Sequence, residues 1–171
     1  MDIRSRSEMS EIIIKPMETA AEMEGKSQVH YTSWQETYRG QLPDGYLDSM
    51  SPEKCLAITR HWPERTLVAL DGDTVVGFAC YGAYSQEDLP DTGEIVALYV
   101  LASHQKLQIG YRLMQEAVAR MPQYSRIALW VLKGNQKAIP FYQRFGFTFD
   151  GKEKTLLIGK HVTEQRMIYQ R

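Results

Sequence analysis

The chain has few of the residues that stabilise disulfide-rich and metal-bound proteins. Its two cysteines, Cys55 and Cys80, lie in apolar surroundings without CxxC spacing. We therefore expect both to be reduced packing residues rather than members of a disulfide or a metal centre. The four histidines are scattered along the chain without the spacing of metal ligands, so no metal site is predicted.

Long charged runs and long apolar runs are also missing. The formal net charge is −1 and there is no basic block, which argues against binding to a nucleic-acid backbone. The longest strongly apolar run, residues 95–102, is far shorter than the ~20 residues that span a bilayer. Residues 1–10 carry charges and no apolar core, unlike a signal peptide. These absences predict a cytoplasmic protein without membrane association.

The composition that remains is that of an ordinary globular chain. Hydrophobic residues make up 43% of the 171 residues and charged residues 24%, which suits a single folded domain. We expect residues 1–10 to form a flexible tail and residues 11–171 to form that domain.

Periodicity and turn residues predict the order β-α-α-β-β-β-α-β-α-β-β. The clearest strand signal is residues 94–102, nearly continuous apolar sequence that suits a strand covered on both faces. The clearest helix signal is residues 109–121, with apolar groups on one face. Further strands are predicted at 11–15, 66–70, 74–81, 126–132, 147–158 and 161–169, and further helices at 16–38, from 51 and at 135–146. The order indicates an α/β fold with a mixed sheet flanked by helices.

The segment of residues 105–111, QKLQIGY, lies between that strand and that helix. A helix start presents unpaired N–H groups and partial positive charge, and therefore attracts pyrophosphate. Gly110 would allow close approach of the backbone to such a ligand, and Lys106 or Arg112 would add positive charge. Taken alone, a strand-to-helix turn with one glycine is more often only a turn than a phosphate site.

A later segment gives this loop a context. EIVALYVL at 94–101, HQKLQIGYRLM at 104–114 and NQKAIPFYQRFGF at 135–147 together resemble the GNAT superfamily of N-acetyltransferases, in its bacterial form. The family's loop pattern is Q/R-x-x-G-x-G/A, and its later signature is roughly N-x-x-A-x-x-F-Y-x-x-x-G-F. The later signature is matched at each named position, by Asn135, Ala138, Phe141, Tyr142, Gly146 and Phe147.

The resemblance implies a fold, a cosubstrate and an activity. It implies a GNAT-like acyl-CoA N-acyltransferase fold that uses acetyl-CoA, without a metal, to acetylate a primary amine of a small molecule or peptide. The alternative is a non-catalytic acyl-CoA-binding or sensing domain with the same fold. The cofactor contacts implied are Leu98, Tyr99, Val100, Gln105, Lys106, Leu107, Gln108, Ile109, Gly110, Tyr111, Arg112, Asn135, Ala138 and Tyr142.

Two residues are candidates for catalysis. An amine with a pKa near ~10.4 must lose a proton before it attacks, so a positioned base is useful. Glu94 has a placement similar to that of the base glutamate in the histone-acetyltransferase branch of the family; alternatively it is a solvated carboxylate at a strand end. Tyr142 matches the tyrosine that donates a proton to the coenzyme sulfur; alternatively it is an aromatic core residue.

The sequence departs from the family pattern at two positions, and both departures predict weaker cofactor binding. Gln108 stands where the first glycine of the loop is usual, and Pro140 falls inside the expected helix, where it would kink the chain.

The acceptor site is less clearly marked in the sequence. Trp34, Tyr38 and Tyr81 are candidates to line an acceptor pocket, although each is also an ordinary packing residue. The apolar C-terminal strands suggest a homodimer.

Overall fold

A computed structural model describes residues 11–171, with the side chain of Lys106 left aside. The predicted flexible tail, residues 1–10, lies outside the described residues. The elements are β1 (Ile12–Pro16), α1 (Ala20–Tyr38), α2 (Asp44–Asp48), α3 (Pro52–His61), β2 (Thr66–Asp71), β3 (Thr74–Ala83), β4 (Thr92–Val100), a 3₁₀ helix (Ala102–Leu107), α4 (Ile109–Ala119), β5 (Arg126–Leu132), α5 (Ala138–Phe145), β6 (Thr148–Ile158) and β7 (Lys160–Gln170).

Seven strands form one sheet in the order β1-β2-β3-β4-β5-β7-β6. Strands β4 and β5 run parallel, and the other neighbouring strands among the described residues run antiparallel. The predicted mixed α/β sheet is therefore confirmed. The sequence analysis missed α2 and the 3₁₀ helix, which are short and carry no apolar periodicity.

Side-chain caps set the starts of the first long helices. The Thr19 hydroxyl oxygen accepts a hydrogen bond from the backbone N–H of Glu22, and the Glu22 carboxylate accepts one from the backbone N–H of Thr19, which forms a capping box. The helix therefore begins at Ala20, whereas the sequence predicted a start at residue 16. Ser51 caps α3, with Pro52 at its first position, as predicted.

Helices cover the two faces of the β1–β4 half of the sheet. The buried face of α4, including Ile109, Leu113 and Ala117, packs into the main core. On the other face α1 packs over β3 and against α3. The buried Lys26 of α1 donates a hydrogen bond of 3.0 Å to Thr59 of α3, so a polar contact fixes these two helices together. Cys55 and Cys80 are free thiols, as predicted.

The two parallel strands separate soon after they meet. Their register contains three residue pairs, Thr92–Arg126, Gly93–Ile127 and Glu94–Ala128. Beyond Glu94, β4 continues to Val100 without a strand partner on this side. Val96 is an extra residue in the pairing of β4 with β3, because Tyr81 pairs with Ile95 and Cys80 with Ala97. Such a bulge bends and twists a strand, and here it turns β4 away from β5.

Candidate functional site

The separation of β4 from β5 opens a cleft of about 920 Å³. Its walls come from the unpaired part of β4, from the facing residues of β5, and from α1, α5, β6 and β7. The cleft runs through the middle of the sheet, where a bound molecule would reach backbone groups of β4 that have no strand partner. Two ends can be distinguished by the residues that line them.

One end of the cleft is formed by the segment predicted to hold phosphate. Leu98, Tyr99 and Val100 line it from β4, while Gln105, Gln108, Gly110 and Tyr111 line it from the 3₁₀ helix and α4. Lys137 and Arg144, two cations absent from the sequence-based candidates, also lie here. Their position on and before α5 places positive charge where an anionic ligand would enter.

Gln108 occupies a backbone conformation that explains the usual glycine. Its φ of 59° and ψ of 18° are left-handed, at the junction between the 3₁₀ helix and α4. Residues with a Cβ adopt this region at a cost of about 1 kcal/mol, whereas glycine adopts it freely. The loop therefore holds Gln108 in a strained conformation that glycine would adopt freely.

Gly110 lies where α4 packs closely against α5. A Cβ built on it would lie 3.3 Å from Cζ of Phe141 on α5 and 3.8 Å from Cδ2 of Leu98. The first space that a side chain would fill is therefore occupied by an aromatic ring. The absence of a side chain on Gly110 lets α4 and α5 approach each other beside the cleft.

The remaining side chains of residues 105–112 point in several directions. Gln105 donates to the carbonyl of Val100 at 3.1 Å, and Tyr111 packs on Phe145 with ring centroids 5.4 Å apart. Ile109 is fully buried in the core, so its backbone alone is available to a ligand. Leu107 is exposed but does not line the cleft.

Arg112 is directed away from this end of the cleft. Its guanidinium donates to the carbonyl of Ile12 on β1 at 3.0 Å, and it does not line the cleft.

The start of α5 corrects the expectation of a kink. The helix begins at Ala138, so Pro140 lies in its first turn, where backbone N–H groups have no intrahelical acceptor. Asn135 is buried, and its side-chain oxygen accepts a hydrogen bond of 3.2 Å from the backbone N–H of Ala138. Asn135 and Ala138 both line the cleft, and Asn135 fixes the start of the helix that carries Tyr142.

Tyr142 and Glu94 both lie in the cleft. The ring of Tyr142 is in edge contact with Phe141 and Phe147, and burial raises the pKa of its hydroxyl well above the ordinary value, with Tyr38 adding to the effect. Burial also raises the pKa of Glu94, while the positive charge of Lys154 acts in the opposite direction and Glu164 raises it further. Both groups are therefore held in surroundings that disfavour their charged forms.

The other end of the cleft is lined by aromatic, apolar and charged side chains. Trp34 and Tyr38 of α1, two of the candidates for an acceptor pocket, line this end. Tyr81 does not line the cleft; it sits on β3, against the main core. Residues that the sequence analysis missed are Thr37, Leu42, Trp130, Leu132, Lys154, Leu156, Ile158 and Glu164. Most belong to β5, β6 and β7, whose register decides which residues meet and cannot be read from alternation alone.

The β6–β7 turn closes this end of the cleft. Gly159 in the turn has a positive φ of 72°, and a Cβ there would lie 2.9 Å from Cβ of Tyr46 on α2 and 3.1 Å from Cγ of Pro43. The hairpin thus packs directly on the segment after α1.

Two classes of feature are not found in the part of the chain that the structure describes. No group of three or more His, Cys, Asp and Glu side chains there is arranged to hold a metal ion. No helix among those residues has both the length and the apolar character to cross a membrane.

Comparisons with known proteins agree on one family. The sequence pattern of the Acetyltransferase (GNAT) family matches residues 31–147. The uncharacterized N-acetyltransferase YuaI of Bacillus subtilis is 31% identical over 126 residues, which cover 70% of each chain.

Solved structures show the same fold at lower identity. The PaiA N-acetyltransferase of Thermoplasma acidophilum, solved with coenzyme A, has a TM-score of 0.69 at 22% identity and covers 94% of this chain and 99% of its own. PH1933 of Pyrococcus horikoshii has a TM-score of 0.74 at 22% identity, with the same coverage.

Proposed function

The chain belongs to the acetyltransferase (GNAT) family and is an N-acetyltransferase, and on this premise we propose that it transfers an acetyl group from acetyl-CoA directly to a primary amine. The observation that carries the proposal is that Glu94 and Tyr142 line the same cleft, which opens where β4 separates from β5. A base for the amine and a proton donor for the sulfur thus face one space.

The cosubstrate is assigned to the end lined by residues 98–100, by α5, and by Gln105, Gln108, Gly110 and Tyr111. Acetyl-CoA supplies an activated thioester carbonyl. Unpaired backbone of β4 would bind its pantetheine arm as an added strand binds a sheet edge. The start of α4, Lys137 and Arg144 provide positive potential for its phosphates. Arg112 is not assigned to this role, because its guanidinium is bound to β1.

The transfer forms one bond and breaks another. The amine nitrogen bonds to the acetyl carbon as the bond from that carbon to sulfur breaks; the amine loses a proton and the thiolate gains one. Glu94 accepts the proton directly or through water, and its raised pKa brings it closer to that of the amine. Tyr142, whose raised pKa keeps its hydroxyl protonated, donates a hydrogen bond to the departing sulfur. The thiolate takes its proton through this hydroxyl, which regains one from solvent, and Glu94 releases its proton to solvent.

The test is release of free thiol from acetyl-CoA by the purified protein with a panel of primary amines. We expect thiol release that depends on the amine, together with a product heavier by one acetyl group. If the protein binds coenzyme A but releases no thiol with any amine, the proposed acetyl transfer is refuted. That result would support the alternative of a non-catalytic acyl-CoA-binding domain.

A further inference from the structure

The end of the cleft opposite the proposed cosubstrate site is called the acceptor end below. It contains a second carboxylate that the proposed chemistry does not use. Glu164 on β7 lines the cleft together with Glu94. Its side chain is 20% exposed, and burial raises its pKa, an effect opposed by Lys154. A carboxylate that is desolvated at the edge of a binding cleft requires a physical or functional reason.

Strand register places these groups on one face of the sheet. Residues paired directly across neighbouring strands share a face, and so do residues two apart along a strand. Glu94 pairs with Ala128 of β5, and Leu132, four residues further along β5, pairs with Glu164. Glu164 in turn pairs with Lys154 of β6. Two glutamates and one lysine therefore project from the same face into the cleft.

Lys154 is already engaged by its neighbours. Its ammonium lies 3.7 Å from Oε2 of Glu164 and 4.2 Å from the centre of the Trp130 ring. The carboxylate of Glu94, in contrast, accepts no hydrogen bond and forms no ion pair with any of residues 11–171. One negative charge therefore remains without a direct partner.

Arg166, the other cation near Trp130, does not reverse this sign. Its guanidinium forms ion pairs with Asp150 at 2.6 Å and with Asp88 at 2.7 Å. Two carboxylates therefore outnumber its single positive charge, so Arg166 adds no net positive charge to this end of the cleft. The acceptor end as a whole is negative.

Beyond the charged groups the wall is apolar. Leu132, Leu156 and Ile158 pack against the small core that contains Leu42 and Leu47, and all but Leu47 also line the cleft. A carboxylate next to the amine of the acceptor would lie beside Glu94 and Glu164. A second ammonium at the far end of the acceptor would be desolvated against Leu156 and Ile158, which lie further along β6 than Lys154, the residue paired with Glu164. Each placement costs free energy, because no group of opposite charge lies next to it.

We infer that the acceptor is a primary monoamine with an apolar body and no carboxylate next to the amine, and that Glu164, with Lys154 held on Trp130, is the residue that excludes amino acids. The inference rests on the proposed function and narrows its substrate. Glu94 receives the ammonium before it is deprotonated. Glu164 supplies the second negative charge that repels an acidic group on the acceptor.

Two matched sets of acceptors test the inference with the purified protein and acetyl-CoA. Phenethylamine, phenylalaninamide and phenylalanine share one body and differ in charge and bulk beside the amine. Hexylamine and 1,6-diaminohexane share one length. We expect phenethylamine and phenylalaninamide to exceed phenylalanine in kcat/KM by at least tenfold, compared per free amine. We also expect hexylamine to exceed 1,6-diaminohexane.

Glu164→Gln tests the residue, with Glu153→Gln as the matched control. Glu164→Gln should lower the ratio of kcat/KM for phenethylamine to kcat/KM for phenylalanine by about tenfold, mainly because the KM for phenylalanine falls. Glu153 lies on the same hairpin, is bound to Lys133 at 3.2 Å and does not line the cleft, so Glu153→Gln should leave the ratio unchanged.

The outcomes separate this inference from the function beneath it. If phenylalanine is acetylated as well as phenethylamine, or 1,6-diaminohexane as well as hexylamine, the inference is overturned while the proposed N-acetyltransferase activity stands. An unchanged ratio in Glu164→Gln would overturn the role of Glu164. No thiol release with any acceptor would overturn both the proposed function and the inference.

Discussion

The hydroxyl oxygens of Tyr38 and Tyr99 lie 3.0 Å apart, which joins α1 to β4 inside the cleft. Burial raises the pKa of Tyr38 and raises that of Tyr99 well above its ordinary value. The proximity of Tyr38 also disfavours ionisation of Tyr142. Three phenols thus share a region of the cleft in which each remains neutral, and Tyr142 keeps its hydroxyl proton throughout the ordinary pH range.

Replacing Tyr142 with Phe should slow acetyl transfer by about 10²-fold, within the range for acid–base groups. Only a hydroxyl is removed, so the fold and coenzyme A affinity should be retained. The measurement is kcat under conditions where chemistry limits the rate, with calorimetry for binding. Tyr169→Phe is the control, because Tyr169 packs on Phe145 and does not line the cleft. Equal rates for both variants would show that the Tyr142 hydroxyl takes no part in the reaction and that Tyr142 is a packing residue.

Replacing Glu94 with Gln should lower kcat/KM most at low pH, where the acceptor is protonated and needs a base. As pH approaches the amine pKa of ~10.4, parent and variant should converge, since solution deprotonates the acceptor. The measurement is kcat/KM from about pH 6 to 10 with a simple primary amine. A constant deficit would instead assign Glu94 to binding of the ammonium.

Glu94→Gln should also change stability in a pH-dependent manner. Because burial raises the pKa of Glu94, the folded state binds its proton more tightly than the unfolded state, and the charged form destabilises the fold as pH rises. The variant should therefore have the higher Tm at pH 8, an advantage that shrinks toward pH 4. Equal Tm values at both pH values would show that Glu94 is well solvated.

Elements with strong local signals could be predicted from the sequence, and contacts between distant elements could not. The strand at Arg126–Leu132 has the predicted bounds, because apolar periodicity and flanking turns are local. The motif predicted that Tyr142 and Gly110 belong to one site, and both line the cleft. Glu164 and Lys154 were missed, because their approach to the cleft depends on β6–β7 register. Arg112 was assigned to phosphate on sequence proximity alone, whereas its side chain reaches β1.

Replacing Gln108 with Gly should stabilise the protein by up to about 1 kcal/mol, because glycine accepts the left-handed conformation without strain. For a chain of this size, that corresponds to a Tm increase of about 2–4 °C. Coenzyme A affinity should be preserved or improved. Gln108→Ala retains a Cβ at φ 59° and should not be stabilised. A tenfold loss of affinity in Gln108→Gly would show that the glutamine side chain itself contacts the cofactor.

Replacing Gly110 with Val should destabilise the protein by about 1–3 kcal/mol, because its Cβ would already lie 3.3 Å from the ring of Phe141, the two added methyl groups would have to displace that ring, and overpacking has costs of this size. The double variant Gly110→Val/Phe141→Leu should recover most of this loss and part of any lost coenzyme A affinity. Chemical denaturation and calorimetry measure the two effects. A double variant as unstable as the single one would mean that the ring is not the obstacle.

His30 should make the fold sensitive to acid. Burial and the nearby Lys26 lower its pKa from 6.5 to about 4, and its Nδ1 is buried without a hydrogen-bond partner among the described residues. The unfolded chain therefore binds a proton that the folded chain refuses, so stability falls as pH drops from 6.5 toward 4. The two pKa values correspond to about 3 kcal/mol at ~1.36 kcal/mol per unit.

His30→Phe and His30→Gln both remove this titration and should lose less stability than the parent between pH 7 and pH 4. Denaturant unfolding at each pH gives the comparison, and agreement between the two variants separates proton binding from packing. Identical pH profiles for parent and variants would show that His30 is accessible to protons in the folded state.

Three residue pairs hold β4 to β5, so the hydrogen-bonded ladder between the two half-sheets is the shortest among the described strands, although one buried core spans both halves. Backbone amides of β4 beyond Glu94 should exchange with solvent faster than those of β3, and a ligand bound between the strands should slow them. Ligands that bind the folded state alone raise its stability by mass action. The cosubstrate would then set the lifetime of the enzyme in the cell as well as its rate, and the amount of intact protein would follow the supply of acetyl-CoA.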